Sequence, residues 1–400
     1  MLRQSILLLL STVMGMLALL ISNYFLTQHL SQVDFGKYSL ILNILMLSQT
    51  MFNLGVFQSV GRLVSLSNDE NQTREYYFSS IVITILLWIL MNGIILLIMI
   101  FYKEWDNVKS LFICTIPFNI CYLFIGLNEL LLQGNNRIGM LSLARSLPRF
   151  LFLLILFLFL YCNCKFEIKS ILSLYLVTYC ITYAYIYKKL RPLPRNLIKR
   201  CLEIFNENKK SGFNIYMGSV FAVGMSNVSG IVINHFEKSV VSVGIYTLAL
   251  QLSTPISLIP NILGTVSFRN FVHTHHISKR VTILLIIICL IMLGLIFAIS
   301  HPLILLIYGE GYIDSIPLLE YLAIGAVLYG LADFYGKFLL AKGKGRELRN
   351  SAISVGISLL ISNFFFVQFW GALGAAYAKI CAGCIYLLVI YLYYRSLLKT

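Results

Sequence analysis

The sequence predicts an all-α integral membrane protein of about twelve transmembrane helices, arranged as two pseudo-symmetric six-helix lobes. Three observations carry that reading. With 59% hydrophobic and only 12% charged residues, and a mean hydropathy of +0.84, the 400-residue chain has too little polar surface to cover a water-soluble globule. Apolar segments of about 20 residues, the length that crosses a hydrocarbon core, recur from one end to the other. The chain also matches itself: Phe35-Gly36-Lys37-Tyr38-Ser39-Leu40 returns as Val243-Gly244-Ile245-Tyr246-Thr247-Leu248, and Gln133-Gly134-Asn135-Asn136-Arg137 as Lys342-Gly343-Lys344-Gly345-Arg346, at offsets of 208 and 209. Two matches in the same order at one spacing indicate a duplicated half of about 200 residues, the construction of many secondary transporters.

The first segment, 5–27, follows Arg3 and resembles a signal peptide. It is too long for one, however, and no small-residue cleavage site precedes the polar stretch from Gln28 to Lys37, so it reads as a retained helix. The second, 38–60, begins inside the first copy of the repeat. Arg62 and Arg74 separate it from 78–101, and Lys103 and Lys109 separate that from 110–133. Arg137 precedes 139–161, and Lys165 precedes 168–187. The longest polar stretch, Lys188 to Ser211, holds Pro192 and Pro194 and reads as a cytoplasmic linker between an N-terminal lobe, 1–187, and a C-terminal lobe, 212–400. The seventh segment is 212–234. Lys238 divides it from 240–265, in which Pro255 and Pro260 remove backbone donors and predict a kink. Arg269, Lys279 and Arg280 lead into 281–300. The tenth, 316–341, is followed by four basic residues between Lys342 and Arg349, and 350–369 and 372–394 complete the set before Arg395 and Lys399.

Charge sets the orientation. With both termini in the cytoplasm, 23 of the 31 Lys and Arg fall on inner segments and 6 on outer loops, while Lys337 and Lys379 lie inside helices. This count assigns Arg137, Arg145 and Arg149 to one inner loop. The net charge of +15 is spread over all the inner loops, so it reads as orientation against an anionic membrane face and not as a nucleic-acid footprint. Six helices per lobe is an even number, so both lobes enter the membrane the same way round. That implies a pseudo-twofold axis along the membrane normal and a cavity between the lobes.

Catalytic signatures are missing. There is no G-x-x-x-x-G-K-[ST] phosphate loop, and Gly343-Lys344-Gly345 has neither its spacing nor a preceding strand. Asp occurs only at 34, 69, 106, 314 and 333, so no Asp-x-Asp pair exists to hold a metal and a nucleotide-sugar, and no external loop is long enough for a polysaccharide polymerase. Cys381 and Cys384 read as small packing residues within a helix, and Cys162 and Cys164 lie near the outer surface. His273, His275 and His276, beside Lys279 and Arg280, read as an interfacial basic segment rather than a metal site. No cofactor or metal is expected.

The informative residues are ionisable groups at membrane depth, where a charge costs several kcal/mol or more without a partner or a wet cavity. These are Glu129, Asp333, Lys337 and Lys379. Asp333 and Lys337, four apart on one helix, either neutralise each other or meet substrate or coupling ion. Glu129 maps onto Lys337 under the repeat offset, so opposite charges in the two lobes could form a gate. Asn227 and Asn234 share a face with Gly230, and Ser11, Gly15, Ala18 and Ser22 share one on the first helix. Such stripes serve close helix packing or line a wet cavity.

Several residues together carry a family likeness: the Phe35-Gly36-x-Tyr38-Ser39 entry to the second helix, Asn53-Leu54-Gly55 before Arg62, and the Gln133-Gly134-x-x-Arg137 exit from the fourth. With two six-helix lobes, the chain resembles the polysaccharide exporters of the multidrug/oligosaccharidyl-lipid/polysaccharide (MOP) superfamily, above all the O-antigen flippases, with a MATE/MOP-like fold. The resemblance implies movement of an undecaprenyl-pyrophosphate-linked oligosaccharide from the cytoplasmic to the periplasmic leaflet of a bacterial inner membrane, for surface polysaccharide or lipopolysaccharide synthesis. Its implied partners are this polyprenyl-linked substrate, the lipid bilayer and other polysaccharide assembly proteins, with no nucleic acid. In that reading Lys337 and Lys379 attract the pyrophosphate, Asn227 and Asn234 line the cavity, and Asp333 and Glu129 couple to an ion gradient or gate the path. The alternatives are a multidrug cation antiporter of the same superfamily and a polytopic polysaccharide polymerase.

Overall fold

The computed structural model describes residues 2–67, 69–101, 105–162 and 165–399, and the described residues are helical throughout, joined by short turns. The helices are α1 (Leu2–His29), α2 (Gln32–Phe52), α3 (Val56–Leu66), α4 (Glu70–Phe101), α5 (Asp106–Thr115), α6 (Ile120–Gly134), α7 (Ile138–Tyr161), α8 (Ile168–Leu190), α9 (Leu197–Glu207), α10 (Phe213–Ser219), α11 (Met225–Glu237), α12 (Val240–His273), α13 (Lys279–Ile307), α14 (Ser315–Ala341) and α15 (Gly345–Lys399). Eight helices are long and apolar enough to cross a bilayer, and two bent pairs add a span each: α2 with α3, bent by 60°, and the α5–α6 pair, bent by 56°. The last of the eight, α15, is two spans, because Gly371 breaks it at φ 55°, ψ −135°. The segment 213–237, divided by a π-helical turn at Val220–Gly224, completes twelve spans among the described residues.

Each break has a local cause. At the α2–α3 bend Leu54 and Gly55 both take left-handed backbone, and Asn53 Oδ1 accepts the Gly55 N–H at 2.8 Å. At the α5–α6 bend Asn119 accepts a 2.6 Å hydrogen bond from Trp88 Nε1 and donates one of 2.8 Å to Asn92 Oδ1, so α4 satisfies the polar groups of the turn. The helix α12 is continuous through Pro255 and Pro260.

The chain forms two compact units. The first comprises Met1–Asp34 and Ile44–Met217, the second Phe35–Asn43 and Gly218–Thr400. In the first, α1 packs along α7, α3 along α6, and α7 along α8. Its linker segment is structured: α9 docks on α4 through Arg200, whose Nε lies 2.7 Å from Glu75 and whose other nitrogen lies 2.8 Å from Glu203. Asn196 donates to Glu75 at 3.0 Å, and Tyr76 donates to Glu203 at 2.6 Å. Burial would raise the Glu203 carboxyl, but the bonds from Tyr76 and Arg200 hold it below the usual carboxylate range.

In the second unit α12 packs along α14, and α14 along α15, around Ile256, Phe271, Ala323, Phe334, Phe338 and Tyr394. The two copies of the first repeat meet here. Gly36 of α2 crosses Gly244 of α12, and a methyl group at Gly36 would overlap the Val240 carbonyl; at Gly244 it would lie 3.0 Å from the Gly36 Cα. Asn43 donates to Thr247 at 3.2 Å one step further along the same two helices. By contrast α13 keeps only 11% of its span buried at a mean hydropathy of 3.2, with Ile283, Leu284, Ile287 and Leu290 exposed. In water that surface would drive association; in a bilayer it is the face that lipid covers.

Two outcomes follow. Gly36→Ala overpacks the crossing and lowers stability by about 2 kcal/mol, with a smaller loss for Gly244→Ala, read from thermal unfolding in detergent. Arg200→Ala leaves the buried Glu75 without its cation, lowering stability by about 3 kcal/mol. Because the folded Glu203 carboxyl sits low, its contribution is complete above the usual carboxylate range and is lost as pH falls through the folded value; the same melts as a function of pH show it.

Candidate functional site

Three of the residues singled out by the sequence converge in the second unit. Asp333 and Lys337 sit a turn apart on α14, and Lys379 lies near the start of the arm of α15 that follows Gly371. Asp333 forms no contact ion pair with Lys337. Its carboxylate accepts a 3.0 Å hydrogen bond from Tyr386 Oη, with Asn261 of α12 beside it and Lys337 acting at longer range. The Lys379 ammonium lies 5.8 Å from the centre of the Tyr329 ring, and that ring stands 5.7 Å from Tyr386. Three charges and two tyrosines thus form one connected cluster, in which Lys379 has no carboxylate partner among the described residues.

The arm that carries Lys379 is set by a cap. Its first free N–H, on Ala372, donates to Glu237 Oε1 at 2.5 Å, placing a carboxylate on the positive end of the helix. Only glycine fits at 371, because a Cβ there would overlap the Glu237 carboxylate and the backbone has positive φ. Asn227 and Asn234 are on α11. Gly230, between them, meets Asn43 of α2 and Val243 in the first half of α12, whereas Asp333 and Lys337 meet Asn261 and Gly264 in the second half of α12. From Val243 to Asn261 the helix rises roughly 27 Å, so this face of α11 and the lysine cluster stand apart.

Glu129 belongs to the first unit and is neutralised there. It forms an ion pair with Arg145 of α7 and accepts 2.8 Å from Gln133, while Arg145 also donates to Thr12 at 3.3 Å. Of the three arginines that the charge count assigned to an inner loop, Arg145 and Arg149 are within α7, which starts at Ile138. The second, Arg149, is a candidate that the sequence reading missed. Its guanidinium lies against Tyr175, Tyr179 and Tyr183, one face of α8 at a spacing of four, with Tyr175 and Tyr179 hydroxyls 3.2 Å apart. The bare Gly15 of α1 leaves it room. Among the described residues no carboxylate pairs with it. The signal was present, since Arg145 and Arg149 are four apart inside a predicted span.

The other stripe on α1 is polar in composition but quiet in chemistry. Ser11 and Ser22 return their hydroxyls to the carbonyls of Leu8 and Ala18 at 2.8 Å, and Ala18 is fully packed. Cys164 and the His273 side chain lie outside the described residues; His275, His276 and Cys162 are exposed.

Residues 1–275 match the model of a family described as polysaccharide biosynthesis protein. No curated protein matches the sequence. Among solved structures the fold is similar to a multidrug resistance MATE family transporter of the MOP superfamily in an inward-facing conformation, at 16% identity over 99% of each chain and a TM-score of 0.73. It is also similar to the lipid II flippase MurJ in an inward closed conformation, at 16% identity over 99% of this chain and 88% of that one, with a TM-score of 0.70. At these identities the likeness establishes the fold.

Removing the cap tests how the lysine arm is held. Glu237→Ala leaves the Ala372 N–H without its acceptor and lowers stability by about 1 kcal/mol, whereas Glu237→Asp retains part of it, both measured as thermal midpoints.

Proposed function

Because the chain belongs to the polysaccharide biosynthesis protein family, we propose that it is a flippase carrying a polyprenyl-pyrophosphate-linked oligosaccharide, an O-antigen or related repeat unit, from the cytoplasmic to the periplasmic leaflet of a bacterial inner membrane. One observation carries this reading. Each unit holds, at membrane depth, a cation without a carboxylate partner and set against tyrosines: Arg149 with Tyr175, Tyr179 and Tyr183, and Lys379 with Tyr329. A buried charge left this way is costly, and an anionic group of the substrate is the partner that lowers the cost. The sugar and pyrophosphate cannot enter hydrocarbon unaided, whereas the polyprenyl tail can stay in lipid. Arg149 offers a planar fork that matches two phosphate oxygens, and Lys337 and Lys379 offer point charges.

Alternating access fits the fold, which a lipid II flippase shares. Asp333 is held by a tyrosine and not by an arginine, so it can gain or lose a proton without breaking a contact ion pair; we assign it the coupling role. Glu129, tied to Arg145, suits a gate that opens only when that pair separates. Asn227 and Asn234 offer hydrogen bonds to sugar hydroxyls. Both termini face the cytoplasm in this reading, from the 23-to-6 distribution of basic residues.

The test is complementation of a deletion strain. Wild type restores surface polysaccharide and clears undecaprenyl-linked repeat units from the cytoplasmic leaflet. Arg149→Ala and Lys379→Ala, at equal membrane abundance, reduce transport roughly ten- to hundredfold, the value of one charge-assisted phosphate contact. Unchanged surface polysaccharide in the deletion strain, with altered tolerance to cationic drugs, overturns the reading in favour of a multidrug antiporter.

A further inference from the structure

A second concentration of positive charge, separate from Arg149 and Lys379, lies where three helix ends of the first unit come together. A cavity of about 490 Å³ is lined by Glu70 and Arg74 from the start of α4, Arg137 immediately before α7, Lys188 and Lys189 in the last turn of α8, and Arg191 after it. Its size falls in the ~300–1,000 Å³ range of small-molecule sites. Five cations face one carboxylate, and among the described residues none of the six takes part in an ion pair.

Orientation in the membrane explains why basic residues gather on this side, but it does not explain their convergence on one concavity. Helix-end preferences account for Lys188 and Lys189, which sit at the negative end of α8. They run against Arg137, which stands at the positive end of α7. The site is also built independently of any occupant. Arg74 Nε donates to the Arg191 carbonyl at 2.6 Å and Leu193 N donates to the Arg74 carbonyl at 3.0 Å, so the chain leaving α8 is clasped to α4. Arg191 turns there at φ 52°, and Lys189 is steadied 4.7 Å over the Tyr185 ring. Convergent, unneutralised cations on a fixed concave wall concentrate anions.

A few residues on, the outer face of α9 carries Ile198, Leu202 and Phe205, exposed by 78%, 58% and 46%, beside exposed Lys199, while Arg200 and Ile204 pack inward. An apolar stripe with basic flanks is the make-up of a helix lying in the membrane interface. We propose that the α4–α7–α8 cavity binds a phosphate-bearing anion at the cytoplasmic surface, supplied by the headgroup of an anionic phospholipid in that leaflet or by a soluble phosphate compound. The interfacial face of α9 favours the lipid. This site is independent of the transported substrate and acts as an anchor for the first unit.

The experiment uses the full chain purified in neutral detergent, with no polyprenyl substrate. Native mass spectrometry measures retention of phosphatidylglycerol against phosphatidylcholine, and inorganic pyrophosphate is titrated separately. Wild type retains phosphatidylglycerol selectively, and R137Q/K188Q/K189Q weakens that binding roughly a hundredfold at an unchanged thermal midpoint. Arg74 is left intact because it holds the backbone clasp. Selective lipid retention that pyrophosphate does not displace identifies the headgroup as the source; pyrophosphate binding that is lost in the triple variant identifies a soluble phosphate. Equal retention of both lipids with no pyrophosphate binding, or full binding by the triple variant, overturns the proposal.

Discussion

Hydrocarbon supplies neither hydrogen bonds nor counter-charge, so every polar group carried into it must find a partner within the protein. Most of the polar residues in these spans obey this in the simplest way. Serine and threonine hydroxyls return to carbonyls of their own helix, as Ser48 does to Ile44 at 2.7 Å and Thr84 to Ser80 at 2.7 Å. Asn92 does this and more: its amide donates to the Trp88 carbonyl of its own helix at 2.9 Å, and its Oδ1 accepts from Asn119 at 2.8 Å, which closes the turn at which α5 bends into α6. The charged groups follow the same logic at higher stakes. Glu129 takes Arg145, and Asp333 takes the hydroxyl of Tyr386. Among the described residues Arg149 and Lys379 meet tyrosines but no counter-charge.

Legibility in the sequence followed the strength of the physical signal. Hydropathy reports directly on the solvent, and the predicted apolar segments cover the eight long apolar helices and the two bent pairs found among the described residues. The interruptions within spans were not legible, because apolar composition continues through them. Asn53-Leu54-Gly55 turns the chain by 60° without lowering its hydropathy, and a π-helical turn leaves no trace in composition. Pro255 and Pro260 sit in a continuous helix, while Gly371 breaks another. A proline removes one hydrogen bond and bends a helix without ending it, whereas the positive φ of Gly371 leaves helical backbone altogether. For the candidate site, the lysines and Asp333 were visible as charges inside apolar runs. Arg149 was hidden because counting charges by loop moved it, with Arg145, out of the span that contains it.

The two tyrosine-backed cations also bear on the choice among chemistries. A transporter of cations offers carboxylates without partners; here the carboxylates of Glu129 and Asp333 are both engaged, and Arg149 and Lys379 have no carboxylate partner among the described residues. Tyrosine suits this setting, since its ring packs against lipid-like surroundings while its hydroxyl and π-face meet a cation without neutralising it.

The crossing of Gly36 with Gly244 has a meaning for the history of the chain. After a duplication the two halves are released to diverge, and most of this sequence has done so. Where one copy lies directly on the other, however, a substitution in either is felt by both, and each glycine denies its twin a side chain. The two copies of that segment constrain each other as a key constrains its own lock. Ancestry therefore remains readable at the place where the halves of the sequence touch themselves.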